Sequence, residues 1–258
     1  MPLSTAQIEQ YHQDGHLIVE GLLNDTEVKT LRQRIEDIAE GRVDFPAHCM
    51  EYEPGAQKEA SRTTGRMAQL RKLNECYRHD SVFLEHAQRP AILDAVEELV
   101  GPDIKIYGDQ LFMKPPGGME KTYHQDSPYF EIAPMALVTA WIALDDVTLE
   151  NGCMWAVPGS HRNGPLAHSE PWQVGDRVDM RIPDTAFDRS KEQPITLKAG
   201  GCSFHHSLLL HSSGPNNTPY FRRGMATHYM TAQSRWTGAP EDKPDYPLVR
   251  GREYADCV

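Results

Sequence analysis

Apolar positions follow two different rhythms along this chain, and the change comes near residue 102. Before it the spacing is helical. Ser4 with Gln7 forms a capping-box pattern that opens a helix running to about Asp14 and Gly15. After Asn24-Asp25, residues Val28, Leu31, Ile35 and Ile38 share one helical face, and Gly41 ends the segment. Pro90 suits the first position of a third helix with Ile92, Leu93, Val96, Leu99 and Val100 apolar, closed by Gly101-Pro102. Residues 42–72 carry little periodicity but do carry Pro46, Pro54, Gly55 and Gly65. They read as a long loop, of the kind that often serves as a lid.

From Ile104 the grammar is that of strands. The expected strands are 104–114, 136–144, 153–157, 195–198, 202–210 and 222–231. Pro115-Pro116-Gly117-Gly118 and Gly214-Pro215-Asn216-Asn217 punctuate them. Several short strands behind a helical start predict a mainly β fold with flanking α-helices, a sandwich or jelly roll. No repeat or linker interrupts the chain. Residues 1–258 therefore read as one domain, with a helical part to about 101 and a β core from about 102 to 235. Residues 163–194, rich in Pro, Asp and Arg, read as an insertion between strands.

Composition narrows the function classes. A chain of 258 residues that is 39% hydrophobic and 24% charged can bury a sizeable core. A net charge of −11 argues against nucleic acid or an anionic membrane surface as the main partner and leaves small molecules. The longest apolar run, 136–144, is far short of the ~20 residues that span a bilayer. The polar N-terminus lacks a secretory signal, and five cysteines without a C-x-x-C pattern fit reduced thiols, so a cytoplasmic location is expected.

The chemistry starts at His124-Gln125-Asp126. In an extended segment, alternate side chains share a face, so His124 and Asp126 point together. One distant histidine would complete two imidazoles and a carboxylate, the facial triad of non-haem Fe(II) oxygenases, which leaves three octahedral positions open. His205, His206, His228 and His161 are rivals for that place. His205 and His206 sit mid-strand, where one must face inward as a buried histidine; His228 could line a pocket; His161 follows a turn. Hairpin geometry favours His211. Paired residues in an antiparallel hairpin keep a constant index sum, so pairing 211 with 222 puts the turn between Asn216 and Asn217. Arg222 would then lie across from His211, with Arg223 as its rival one register away. A planar arginine there could receive the far carboxylate of a keto acid. Arg62, Arg66, Arg71 and Lys72 form the one basic cluster and read equally as a solvated face. Tyr129, Phe130 and Trp172 could line a substrate cavity.

The spacing H-x-D…H-(10)-R, with Val157-Pro158-Gly159-Ser160-His161-Arg162, Glu150-Asn151-Gly152 and Arg222-Arg223-Gly224, resembles the phytanoyl-CoA dioxygenase family. The likeness runs in order from the N-terminal helix through Thr231. It implies a double-stranded β-helix (a cupin-like jelly roll), with Fe(II), 2-oxoglutarate and O2 as cofactor and co-substrates. It also implies that His124, Asp126 and His211 bind iron and that Arg222 holds the 2-oxoglutarate side-chain carboxylate. Ser213 matches a hydroxyl that assists that arginine. Trp141 and Lys72 match positions lining the co-substrate, and Gln110 falls where some relatives carry methionine. The implied reaction hydroxylates an unactivated C–H of a small-molecule or acyl substrate and releases succinate and CO2. Related halogenases carry Gly or Ala where this chain has Asp126, so oxygenation is expected. Two other readings stay open: a cupin-type metal jelly roll with no need of Arg222, and a domain that binds 2-oxoglutarate without turnover.

Overall fold

The computed structural model describes residues 2–53, 65–174 and 177–258. Its helices are α1 (Thr5–Asp14), α2 (Asp25–Ala39), α3 (Cys76–His79), α4 (Ser81–Ala87) and α5 (Pro90–Val100). The strands up to the middle of the chain are β1 (His16–Val19), β2 (Met50–Tyr52), β3 (Leu70–Asn74), β4 (Ile104–Lys114), β5 (Lys121–His124), β6 (Ile132–Ala133), β7 (Val138–Ala143) and β8 (Met154–Ala156). Then come β9 (Glu170–Val174), β10 (Arg177–Arg181), β11 (Gln193–Ile195), β12 (Cys202–His206), β13 (His211–Ser213), β14 (Arg222–Thr231), β15 (Arg235–Trp236) and β16 (Leu248–Arg250).

Local chemistry accounts for the helix ends. Ser4 accepts from the Gln7 amide while Gln7 reaches back to the Ser4 amide, and Asn24 with Glu27 repeats the same reciprocal cap. Pro90 opens α5, and Ile92, Leu93 and Val96 bury its inner face. Each such side chain contributes roughly 1.5–3 kcal/mol on burial.

Two antiparallel sheets face each other, as a jelly roll requires. The large sheet runs β1-β12-β7-β14-β4-β3-β2, with β16 added to β4, and the small one runs β11-β8-β13-β5. Strand alternation sorts the large sheet's two faces. Leu111 and Met113 of β4, Val138, Ala140 and Ile142 of β7, and Met225 and Tyr229 of β14 pack with Ile35, Phe83, Ile92 and Val96 of the helices. Gln110, Phe112, Lys114, Thr139, Trp141, Arg222, Ala226 and His228 belong to the other register and face the space between the sheets.

Several expectations need correction. The first hundred residues are not only helical: β1, β2 and β3 join the large sheet, where each is too short for its alternation to stand out. The stretch 42–72, expected to be a lid-like loop, contains β2 and the start of β3, and its residues 54–64 lie outside the described residues. The 163–194 stretch holds the hairpin β9–β10. The hairpin proposed for His211 and Arg222 does not form, because β13 pairs with β5 and β8 while β14 pairs with β4 and β7. Pro215 and Pro219 cannot donate to a ladder. Asn216 instead donates to the carbonyls of Lys114, Pro115 and Tyr220, which carries the chain from one sheet to the other. Among the described residues no helix is long and apolar enough to cross a membrane. All five cysteines are free.

Candidate active site

A cavity of about 300 Å³ lies between the sheets. His124, Asp126, His211, Ser213, Arg222, Trp141, Lys72 and Gln110 all line it, so the proposed metal ligands and co-substrate residues meet there. The route differs from the expected one at Asp126. The strand stops at His124, and Asp126 takes an αR conformation in the following turn, tied by its amide to the Ser207 carbonyl at 2.9 Å. Simple strand alternation therefore does not aim the carboxylate. The residue between the two is buried as an anchor: Gln125 donates to Gly164 O and Leu208 O and accepts from the Leu166 amide.

The ladder sets His211 directly opposite His124, with ring centroids 4.2 Å apart. The Nε2 atoms of both rings lie 3.8 Å from Asp126 Oδ1. Each ring donates from Nδ1 to a backbone carbonyl two residues back, Thr122 for His124 and Leu209 for His211, both at 2.9 Å. Those bonds fix the tautomer and leave Nε2 as a free donor atom toward the centre. Thr139 donates to Asp126 Oδ2 at 3.2 Å, on the side away from the two rings. Ligand atoms of the three residues all lie within 4.8 Å of one another, a set that fits a divalent first-row metal with open positions. Burial drives the His124 imidazole well below its usual range and keeps it neutral. Burial also works to raise the Asp126 carboxyl, but the surrounding imidazoles, His211 foremost, outweigh it and hold it well below the usual carboxylate range. A neutral imidazole beside an ionised carboxylate is the protonation state that ligation needs.

Two rival histidines also border this centre. His205 Nε2 is 3.6 Å from Asp126 Oδ2, and the His228 Nδ1 sits 2.8 Å from Thr139 Oγ1. Burial lowers both, His228 to about 4. His206 points the other way, toward Tyr11 and His161, and His161 packs against Gly15 and contacts the His12 carbonyl.

Arg222 is 3% exposed. Its Nη2 donates to Gly152 O at 3.0 Å, its guanidinium lies 5.4 Å from the Trp141 ring centroid, and its Nε has no partner. Among the described residues no carboxylate pairs with it. Burial lowers its pKa to about 10. A cation so placed fits an anionic ligand. Arg223, one residue on, faces the helices and is held bidentately by Asp145 and by Glu36. The Glu150-Asn151-Gly152 motif supports Arg222 from behind. Gly152 has a φ of 82° and lies so close to the Gly214 carbonyl that no Cβ would fit. Gly224 is needed for the same kind of reason, since a Cβ there would sit 2.1 Å from Trp141 Cζ2.

Lys114 and Thr139 also line the cavity without any motif that marks them, and so does Arg71, which stands out in the sequence only as part of a basic cluster. Lys114 is buried, donates to Ser213 Oγ at 2.9 Å and to the Gly214 carbonyl, and is driven well below the usual lysine range by burial and then by Arg222. Its parity with Gln110 and Phe112 on β4 was the available signal. Ser213 thus contacts Lys114 rather than Arg222 directly. Arg71 corrects the solvated-face reading: it is buried, paired with Glu53 at 3.2 Å, and lines the cavity. Lys72 pairs with Glu51 at 3.6 Å, and Arg62 lies outside the described residues. Tyr129 and Phe130 line the cavity, whereas half-buried Trp172 is not among its lining residues.

The family model described as phytanoyl-CoA dioxygenase matches residues 11–224. A probable phytanoyl-CoA dioxygenase of Caenorhabditis elegans is 29% identical over 238 residues, covering 88% of this chain and 75% of that protein. Among solved structures, the apo form of the non-heme monooxygenase ThoJ superposes with a TM-score of 0.73 at 26% identity, covering 98% of this chain and 86% of the other. EctD from S. alaskensis with 2-oxoglutarate and 5-hydroxyectoine gives 0.73 at 20% identity, covering 99% and 86%. At that identity the likeness speaks for the fold.

Proposed function

This chain belongs to the phytanoyl-CoA dioxygenase family and is an Fe(II)- and 2-oxoglutarate-dependent dioxygenase, and we propose that His124, Asp126 and His211 hold its iron and Arg222 its co-substrate. The observation that carries the assignment is the pair of Nδ1–carbonyl hydrogen bonds. They turn two facing imidazoles so that both Nε2 atoms converge on one carboxylate oxygen. Family membership favours turnover over the non-catalytic and cupin-type alternatives. We read residues 1–258 as one domain, because a single apolar core joins α1, α2, α4 and α5 to the large sheet.

When iron, 2-oxoglutarate and O2 are bound, the group supplies an oxidant able to hydroxylate an unactivated C–H bond, with succinate and CO2 released. The chain's own residues do the rest. Arg222 receives the far carboxylate of the co-substrate with a planar, permanently charged fork. Lys114 holds Ser213 and the turn at Gly214 beside Arg222. Trp141 walls the arginine and depends on Gly224 for its place. Thr139 occupies the outer oxygen of Asp126, which leaves Oδ1 for the metal. On the mouth side, Tyr129 donates to the Met180 carbonyl and Lys121 pairs with Asp179, both contacts reaching the β9–β10 hairpin. Tyr129, Phe130 and Phe112 give this end an aromatic lining for a small-molecule or acyl substrate, and exclusion of water there protects the reaction from side oxidation.

Anaerobic Fe(II) titration tests the ligand set. His211→Ala should lose tight binding while His205→Ala keeps it, both variants remaining folded. Undiminished Fe(II) affinity in His211→Ala would overturn the assignment and pass the role to His205 or His228.

A further inference from the structure

On the far edge of the large sheet, away from the cavity lining, a second set of donors converges. His48 and Cys49 close the short turn that leads into β2, and His79 ends α3 just beyond β3. Ligand atoms of all three lie within 4.8 Å of one another. Among the described residues, only this trio and the one in the cavity come together so closely. The β2–β3 register accounts for the meeting. Met50 pairs with Leu73, and continuing that ladder outward sets Cys49 and His48 beside Asn74 and Glu75, one short turn from His79.

Several details suit an ion there. Cys49 is buried, so its sulfur forms the floor, while His48 and His79 are exposed and form the rim. The two imidazoles stand at 87° with centroids 6.3 Å apart, and Phe45 packs edge-on against His79 at 5.7 Å and braces it. Glu75, in a left-handed conformation at φ 55°, brings its carboxylate to 3.8 Å from His79 Nε2. A thiolate and this carboxylate together balance a dication.

We propose that His48, Cys49 and His79 form a zinc site, with water or Glu75 in the fourth position. One sulfur and two nitrogens within reach of a tetrahedron are what Zn²⁺ prefers, and oxygen-seeking Mg²⁺ or Ca²⁺ would not choose them. On binding, the Cys49 thiol gives its proton to solvent. The ion would clip the entry to β2 onto α3, on either side of the strand β3 that carries Arg71 and Lys72 to the cavity. Its role is therefore structural, and it is independent of the iron assignment.

Cobalt(II) reports the site directly, because a thiolate ligand gives a near-ultraviolet charge-transfer band that an all-nitrogen-and-oxygen centre lacks. Wild-type protein titrated with Co²⁺ should develop this band, and excess Zn²⁺ should abolish it. Cys49→Ser should lack it, and His79→Gln should weaken binding by about tenfold or more, since even outer partners of a metal cost roughly 10–100-fold. The band should persist in a His124→Ala/His211→Ala double variant. Absence of the band in wild type, or its survival in Cys49→Ser, would overturn the proposal. Because Cys49→Ser removes only one buried sulfur, circular dichroism checks the fold, and a Zn²⁺-dependent rise in melting temperature, measured in the His124→Ala/His211→Ala background so that the cavity trio cannot contribute, should be present with Cys49 and lost in Cys49→Ser.

Discussion

Replacing Arg222 or its neighbour Arg223 with alanine removes the same charge from adjacent positions, yet the two variants should fail in different ways. Arg222 is buried, has one backbone partner and no carboxylate among the described residues. Its loss leaves a ligand carboxylate unpaired in a water-poor pocket, which typically costs ~2–5 kcal/mol. Arg71 still lines the cavity and keeps part of the positive field, so the lower half of that range applies. At ~1.4 kcal/mol per decade, 2-oxoglutarate affinity should fall roughly 30- to 300-fold. Arg222→Lys should recover part of this, having charge but no planar fork. Arg223 instead forms two bonds to Asp145, at 2.8 and 2.9 Å, and one to Glu36 at 3.1 Å. Breaking a buried pair costs ~3–5 kcal/mol, and partial exposure of Asp145 and Glu36 reduces that to about 2–3. For a chain of this size the melting temperature should drop by about 4–10 °C, with co-substrate affinity nearly unchanged. Anaerobic 2-oxoglutarate titration and thermal melts of the three variants give the comparison. A larger affinity loss in Arg223→Ala would refute the facing assigned to β14, and unchanged affinity in Arg222→Ala would refute its role.

Further expectations concern other parts of the molecule. Gly224→Ala should destabilise the protein by about 1–3 kcal/mol and weaken 2-oxoglutarate binding, because its Cβ must displace Trp141; a denaturation midpoint equal to wild type would contradict the overlap. Products formed in excess chloride should be hydroxylated and not chlorinated by mass spectrometry, because the Asp126 carboxylate fills the place a halide would need. His86 is fully buried and burial lowers its imidazole to about 3, so the folded state stays neutral while the unfolded chain protonates below about 6.5. The His86 contribution to stability is thus fully present above pH 6.5 and should be lost at up to about 1.4 kcal/mol per unit as pH drops from there toward 3. His86→Met should flatten that slope in urea titrations, and an unaltered slope would clear His86 of the effect.

The three longer helices, α1, α2 and α5, and the long strands are legible because each carries its own signal, whereas the short α3 and α4 are not. Ser4 and Asn24 write their caps, Pro90 its helix start, and β4, β7 and β14 are long enough to show their pattern. The short strands were not, since three or four residues such as Met50–Tyr52 take their structure from the ladder they join. Motif spacing marks most of the site residues, whereas strand alternation and hairpin symmetry do not place Asp126 or Arg222. Asp126 is aimed by a turn and a hydrogen bond to Ser207, and Arg222 belongs to the other sheet from His211. Lys114 was readable from strand parity. Arg71 was not, because its burial depends on Glu53 and on the sheet edge around it.

That division between sheets has a consequence for how such a site can change over time. His124 and His211 ride on the small sheet, and Arg222 and Trp141 on the large one. Apolar residues of both sheets, Met154, Ala156 and Ile195 from one and Trp141, Ala143 and Ala226 from the other, fill the space between them. The span between the two anchor points is therefore calibrated by side-chain volume and not by the register of any one ladder. A methyl group gained or lost in that layer, with no contact to metal or co-substrate, can retune the reach while every polar residue stays in place.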